Sequence, residues 1–197
     1  MSVNFTGKAQ IMYVPPKEFK TLLDKTVIEV GRPERYHFEE RRASALPMFS
    51  KDANTCSMLA VNDTLMHLAP EREDIRLFDK LSDFLKEQKD KYGDLTAVLI
   101  GGKAPNLCRP STELYSGIAN LLEKEGADYS MICGKQLDLF LDDIYKDGNN
   151  YKFTQKGNIG LEELLQEKDI TPKRLKEILK YYYRDVKISR KHDLGIG

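Results

Sequence analysis

An α+β sandwich, with helices packed on a mixed β-sheet and a helical C-terminal tail, is the fold class this sequence predicts. Three observations carry that prediction. Short β-rich runs come in pairs around turn signals at Asn62-Asp63 and at Asp147 to Asn150. Two longer segments carry apolar residues at helical spacing. The order runs strands, helix, strand, helix, strands, the pattern of helices packed against a sheet. At 197 residues the chain can build its own core without disulfide staples.

Taken in order, Lys8 to Val14 reads as a short strand, ended by Pro15-Pro16, which open a helical turn over Lys17 to Leu23. Thr26 to Val30 reads as a second strand because four of its five residues are β-branched, and Gly31 and Pro33 break it. Glu34 to Ala45 is dense in charge and reads as either a loop or an exposed helix. Cys56 to Val61 and Thr64 to Ala69 read as two strands joined at Asn62-Asp63. Pro70 suits the start of the next helix, Glu71 to Lys91, whose Ile75, Phe78, Leu81, Phe84 and Leu85 share a face. Glu71, Glu73 and Asp74 suit its positive N-terminus, and Gly93 stops it.

Leu95 to Ile100 is an apolar run that reads as a central strand, with Gly101-Gly102 as its exit. A second helix follows, capped at Ser111 or Thr112, burying Leu114, Ile118, Leu121 and Leu122 and stopping at Gly126. Tyr129 to Cys133 reads as a strand, and Leu137 to Tyr145 and Tyr151 to Thr154 flank a hairpin turn. Leu161 to Glu167 and Pro172 to Tyr183 read as helices, the latter with Thr171 as N-cap. These assignments divide the chain into a domain over 1–157 and a helical C-terminal extension over 158–197.

Composition narrows the function classes. Lys plus Arg and Asp plus Glu both number 31, so there is no basic excess to suggest a nucleic-acid binder. The basic run from Lys180 to Lys191 reads as a solvated helix face. No apolar run approaches the roughly 20 residues needed to cross a bilayer. The first residues lack the pattern of a secretory signal, so a cytoplasmic location is expected, with export as an effector left open. The three cysteines, Cys56, Cys108 and Cys133, form no pairing framework, and His37, His67 and His192 are scattered. No metal site and no cofactor are expected, and no phosphate-binding glycine loop or Gly-x-Ser-x-Gly is present.

One pair carries chemistry. Cys56 opens one strand of the Asn62-Asp63 hairpin and His67 lies near the end of the other. A two-residue turn sets Val61 opposite Thr64 and, counting outward, Cys56 opposite Ala69. His67 is then the diagonal neighbour of Cys56 on the same face, at roughly 7–8 Å, within reach of an imidazole. A thiolate–imidazolium pair is the minimal equipment for attack on a carbonyl carbon. Ser50 could orient the imidazole through its hydroxyl or backbone carbonyl. Backbone amides around Thr55 and Cys56 could receive a developing oxyanion. Each residue also fits a blander role: Cys56 as a small buried hydrophobe, His67 as a hydrogen-bonded structural residue, Ser50 as a loop hydroxyl. Cys108 fits a loop thiol, Cys133 an inert strand end and His37 a packing residue.

From about Ser50 to Phe153 the chain resembles the bacterial chemoreceptor glutamine deamidase family CheD. Thr55-Cys56-Ser57 stands at that family's nucleophile motif and His67-Leu68-Ala69-Pro70 at its histidine motif. Ala97 to Ala104 stands at its Gly-Gly motif, and Cys133 to Gln136 and Asp147-Gly148 at its last turn and hairpin. The cytotoxic necrotizing factor deamidases share the Cys/His fold, and the interval from Cys56 to His67 is closer to theirs. Ser50, six residues before Cys56, matches a hydroxyl residue found there in several relatives. The glycine turn before the family's nucleophile is replaced here by Asn54-Thr55.

The resemblance implies a CheD-like sandwich and a cofactor-free hydrolase. Cys56 would be nucleophile, His67 base and acid, Ser50 third residue, and the substrate a protein carrying a target glutamine. Chemotaxis and effector or toxin action are the settings it suggests. A non-catalytic interaction domain on the same scaffold is the main alternative. A cysteine peptidase, transglutaminase or other acyltransferase using the same pair is the next.

Overall fold

The structure is a computed structural model that describes residues 9–24, 26–31, 33, 39–53, 55–70, 76–101, 109–133, 140–157 and 187–190. Two mixed sheets lie face to face. The first has the order β1 (Gln10–Tyr13), β10 (Asn150–Gly157), β9 (Phe140–Asp147), β4 (Met48–Ala53), β2 (Ile28–Glu29). The second runs β11 (Lys187–Arg190), β8 (Asp128–Cys133), β7 (Thr96–Gly101), β5 (Ser57–Val61), β6 (Thr64–Leu68), β3 (Glu39–Ala43). The α+β sandwich expected from the element order is therefore present in its general form.

Side-chain alternation separates three apolar layers. Met48, Ala53, Ile144, Tyr151 and Phe153 of the first sheet meet Cys56, Met58, Ala60, Leu65, Val98 and Ile100 of the second. The opposite face of the second sheet, through Leu59, Val61, Met66, Leu68, Ala97 and Leu99, packs on α2 (Arg76–Tyr92) and α3 (Arg109–Lys124). The outer face of the first sheet is covered by α1 (Pro16–Leu22), where Phe19 packs with Val14, Phe49 and Tyr145. A one-residue slip would turn every such side chain to the wrong layer, so burial on both faces fixes the register.

The β5–β6 hairpin has the expected register: Val61 pairs with Thr64, Met58 with His67 and Ser57 with Leu68. Asn62 supplies the left-handed backbone of the turn, at φ 47°, a conformation Asn tolerates. Its side chain ties the turn to the start of β7. Nδ2 donates to the Asp94 carbonyl at 3.2 Å, and the Thr96 amide donates to Oδ1 at 3.1 Å. Asp63 accepts from Tyr92 at 2.5 Å, Lys91 at 3.0 Å and Thr64 at 2.9 Å, which clamps the turn to the C-terminal end of α2.

Three sequence expectations need correction, and one strand went unread. Within the charged 34–45 segment, Glu39 to Ala43 form the edge strand β3, antiparallel to β6, rather than a loop or helix. Its charges pair two residues apart on each face, Glu39 with Arg41 at 3.7 Å and Glu40 with Arg42 at 2.8 Å. Charge of this kind protects an exposed edge, and it hides the strand's period from a hydrophobicity reading. Met48 to Ala53, unassigned from sequence, is a central strand. Helix α3 starts at Arg109, so Ser111 and Thr112 lie inside its first turn instead of capping it; Pro110 fits that turn because its missing N–H has no helical partner there. In the C-terminal extension, 187–190 form β11, antiparallel to β8. The helices expected at 161–167 and 172–183, and the first residues of the helix expected from Glu71, lie outside the described residues.

Candidate functional site

Ser50 and His67 come from different sheets and meet between them. Ser50 lies in β4, opposite Ile144 of β9, and His67 in β6, opposite Met58 of β5. Both are completely buried. The Ser50 hydroxyl donates to the Val30 carbonyl at 2.6 Å, and the same oxygen lies 2.9 Å from His67 Nδ1. A serine hydroxyl has one hydrogen, and a carbonyl can only accept. Because that hydrogen goes to Val30, the contact with His67 is a donation from Nδ1–H to Ser50 Oγ. The neutral imidazole is thereby held as the Nδ1–H tautomer, with Nε2 as the nitrogen able to take a proton. Val30 is placed for this by β2, which runs parallel to β4 through Ile28–Met48 and Glu29–Phe49 pairs; the Val30 amide donates to the Phe49 carbonyl at 2.8 Å.

Cys56 immediately precedes β5. Continued outward by one rung, the hairpin register places it opposite Ala69 and diagonal to His67. Its side chain belongs to the layer between the sheets, is 1% exposed and forms no disulfide. Thr55, half-buried, leads into it. Two backbone features shape this approach. In β4 the pairing with β9 shifts between Ser50 and Ala53, a bulge that points both residues inward although they are three apart. At that bulge Asp52 takes φ 62°, and its amide donates to the Asp143 carboxylate at 2.8 Å. On the other side of Cys56, β7 ends at Gly101, opposite Ser57, with φ 115°. A Cβ at Gly101 would stand 2.7 Å from the Cys56 carbonyl oxygen.

The structure thus brings Ser50 onto His67 and puts Cys56 on the same inward face. Ser50 is a strand residue in the core, not the loop hydroxyl of the blander sequence assignment. The Val30 carbonyl and the Gly101 backbone were missed. A main-chain acceptor leaves no trace in side-chain identity, though the glycine pair after an apolar run marked the place of the second. Asn54, Cys108, His37 and His192 lie outside the described residues, and Cys133 ends β8.

Among the described residues no group of three or more His, Cys, Asp or Glu is arranged to hold a metal ion. No described helix is long and apolar enough to cross a membrane. Surface grooves among the described residues lie elsewhere. One of about 230 Å³ lies between β3 and α2 along Glu39, Arg41, Lys80 and Phe84. Another of about 270 Å³ lies beside β1 and α1 along Met12, Leu22, Tyr145 and Lys152.

Among the described residues, a lysine is also buried in the sandwich. Lys146 faces inward, one inward position along β9 from the Ile144 that pairs with Ser50. Its Nζ donates to the Gly148 carbonyl at 2.8 Å and lies 5.6 Å from the centre of the Tyr151 ring. Burial pushes its pKa down to about 8, against the opposing pull of the Asp63 and Asp147 carboxylates.

No family model matches this chain, and no curated protein matches it at a significant level.

Proposed function

We propose that the chain is a cysteine-dependent protein glutamine deamidase of the CheD and cytotoxic necrotizing factor type, acting on a glutamine presented by a protein partner. The observation that supports this most is the 2.9 Å contact of His67 Nδ1 with a Ser50 oxygen whose own hydrogen goes to the Val30 carbonyl. That chain commits the proton to Nδ1 and leaves Nε2 basic, the requirement for a general base acting on a neighbouring thiol. Continued one rung beyond its last pair, Ser57 with Leu68, the hairpin register would set that thiol diagonal to the ring.

The mechanism follows from these roles. His67 Nε2 takes the Cys56 proton, and the sulfur attacks the carbonyl carbon of the glutamine side chain. Backbone amides at Thr55 and Cys56 receive the oxyanion of the tetrahedral intermediate. The C–N bond breaks as His67 returns the proton to nitrogen, so ammonia leaves and a thioester remains. Water then gives a proton to His67 and its oxygen to the acyl carbon. The C–S bond breaks, glutamate is released and His67 reprotonates the thiolate. Ser50 and Val30 hold the ring through both halves and stabilise the imidazolium as Nδ1–H donates. The reaction uses water alone as co-reactant. An amine in place of water would give transglutamination on the same residues.

A second reading has its own observation. Ser50, Cys56 and His67 are 0, 1 and 0% exposed, the burial expected if the serine–histidine pair only bolts the two sheets together in a non-catalytic interaction domain. Iodoacetamide separates the two. The deamidase reading expects Cys56 to be alkylated stoichiometrically near neutral pH, followed by intact mass, and at least about tenfold more slowly in His67→Ala. Slow labelling of Cys56 that is indifferent to His67→Ala would sink the enzyme reading. Peptide mapping of glutamine-bearing proteins then distinguishes side-chain conversion from backbone cleavage, the mark of a peptidase.

A further inference from the structure

We propose that Gly101 is a positioning residue for Cys56, an inference that rests on the nucleophilic reading of that thiol. Gly101 closes β7, and Ser57 pairs with it on the last rung of the β5–β7 ladder. Its φ of 115° lies where side-chain-bearing residues rarely go. The space is also closed. A Cβ there would meet the Cys56 carbonyl oxygen at 2.7 Å, the Ser57 Cα at 3.1 Å and the Cys56 carbonyl carbon at 3.6 Å.

All three of those atoms are backbone, so no side chain can swing aside to make room. A methyl group must displace the Cys56–Ser57 peptide itself. The remaining pairs of the ladder, Met58 with Ile100 through Val61 with Ala97, lie further along the strands and can hold their register. The displacement therefore falls on the residue that carries the thiol. His67 stays fixed from the other sheet by Ser50. In the relatives that the sequence resembles, a glycine turn before the cysteine presents the nucleophile. Here Asn54-Thr55 stands at that place, and the close approach of β7 supplies a constraint on Cys56 from outside its own loop.

The test reads the sign of a rate. Cys56 is 1% exposed, so a substitution that merely loosens the fold uncovers the thiol and speeds its alkylation. A substitution that misaligns Cys56 against His67 slows it. In alkylation the Cys56 sulfur forms a bond to the methylene carbon of iodoacetamide, iodide leaves, and the thiol proton goes to His67. Gly101→Ala is compared with the wild type and with Gly93→Ala, which carries a similar positive φ of 81° but has nothing within 4 Å. Gly101→Ala should slow Cys56 labelling about tenfold or more, the scale of small misplacements in a reacting pair. His67→Ala added to Gly101→Ala should cost less than about twofold more, because the pair is already uncoupled. Gly93→Ala should label at the wild-type rate.

Should Gly101→Ala not fold alone, Ser57→Gly added to it loosens the backbone that the methyl meets, and the same comparison is made on the double variant. A rate equal to or above wild type in the Gly101 variant overturns the proposal while leaving the nucleophile in place. Wild-type labelling that ignores His67→Ala overturns the nucleophilic reading and this inference with it.

Discussion

Replacing Ser50 by Ala tests the centre of the site without touching the thiol. The change removes one oxygen, and with it the acceptor of the His67 Nδ1–H donation at 2.9 Å and the donor to the Val30 carbonyl at 2.6 Å. Both groups lie in a region where Ser50 and His67 have no solvent exposure to replace them. A buried polar group that loses its partner costs about 1–3 kcal/mol, so the two together predict a loss of about 3 kcal/mol. For a chain of this length that lowers the melting temperature by about 6–12 °C. Urea unfolding gives the free energy directly.

A second signature separates the tautomer argument from bare destabilisation. Nitrogen-15 correlation spectra of the wild type at a pH where the ring is neutral should show the proton of His67 on Nδ1. Ser50→Ala should release that preference, and Ser50→Thr, which keeps a hydroxyl on a strand position that favours β-branching, should restore it. The reasoning is refuted if the wild-type ring carries its proton on Nε2. It is refuted equally if Ser50→Ala unfolds within about 0.5 kcal/mol of wild type, the range of an ordinary surface substitution.

Two further predictions concern charge. Lys146 has its pKa depressed to about 8 by burial, so the unfolded chain binds its proton more tightly than the folded one above that pH. Stability from this residue should therefore rise as pH increases from about 8 toward the ordinary lysine value, by on the order of 3 kcal/mol in all. Lys146→Met should flatten that rise, and an unchanged slope in parallel denaturant titrations would contradict the assignment. For Asp63, burial alone would raise the carboxyl, but hydrogen bonds from Tyr92, Lys91 and Thr64 and the Lys91 charge together hold it below its ordinary value. Its stabilisation is present above the ordinary carboxylate pKa and is lost as pH falls through the lower folded value. Asp63→Asn should lower stability at neutral pH and shrink the acid-side loss; an acid limb identical to wild type would argue against the clamp.

The sequence carried the β5–β6 hairpin down to its register, because a two-residue loop between apolar runs leaves one pairing that buries both faces. That local rule also put Cys56 and His67 on one face. Much of the α2 and α3 stripes was legible too, in Leu81, Phe84, Leu85, Leu114, Ile118 and Leu122, since 3.6-residue periodicity is written in the residues themselves; the buried Leu77 and Tyr115 were not read. Local signals failed where a strand's character comes from its neighbours. Met48 to Ala53 mixes polar and apolar residues because a bulge at Asp52 interrupts its alternation, and Glu39 to Ala43 is charged because it is an edge. Only the tertiary structure decided that Ser50 reaches His67, since β4 and β6 belong to different sheets brought together by packing. Only it supplied the Val30 carbonyl and the close approach of Gly101. Backbone atoms have the same identity in every residue, so their chemistry depends wholly on where the fold puts them.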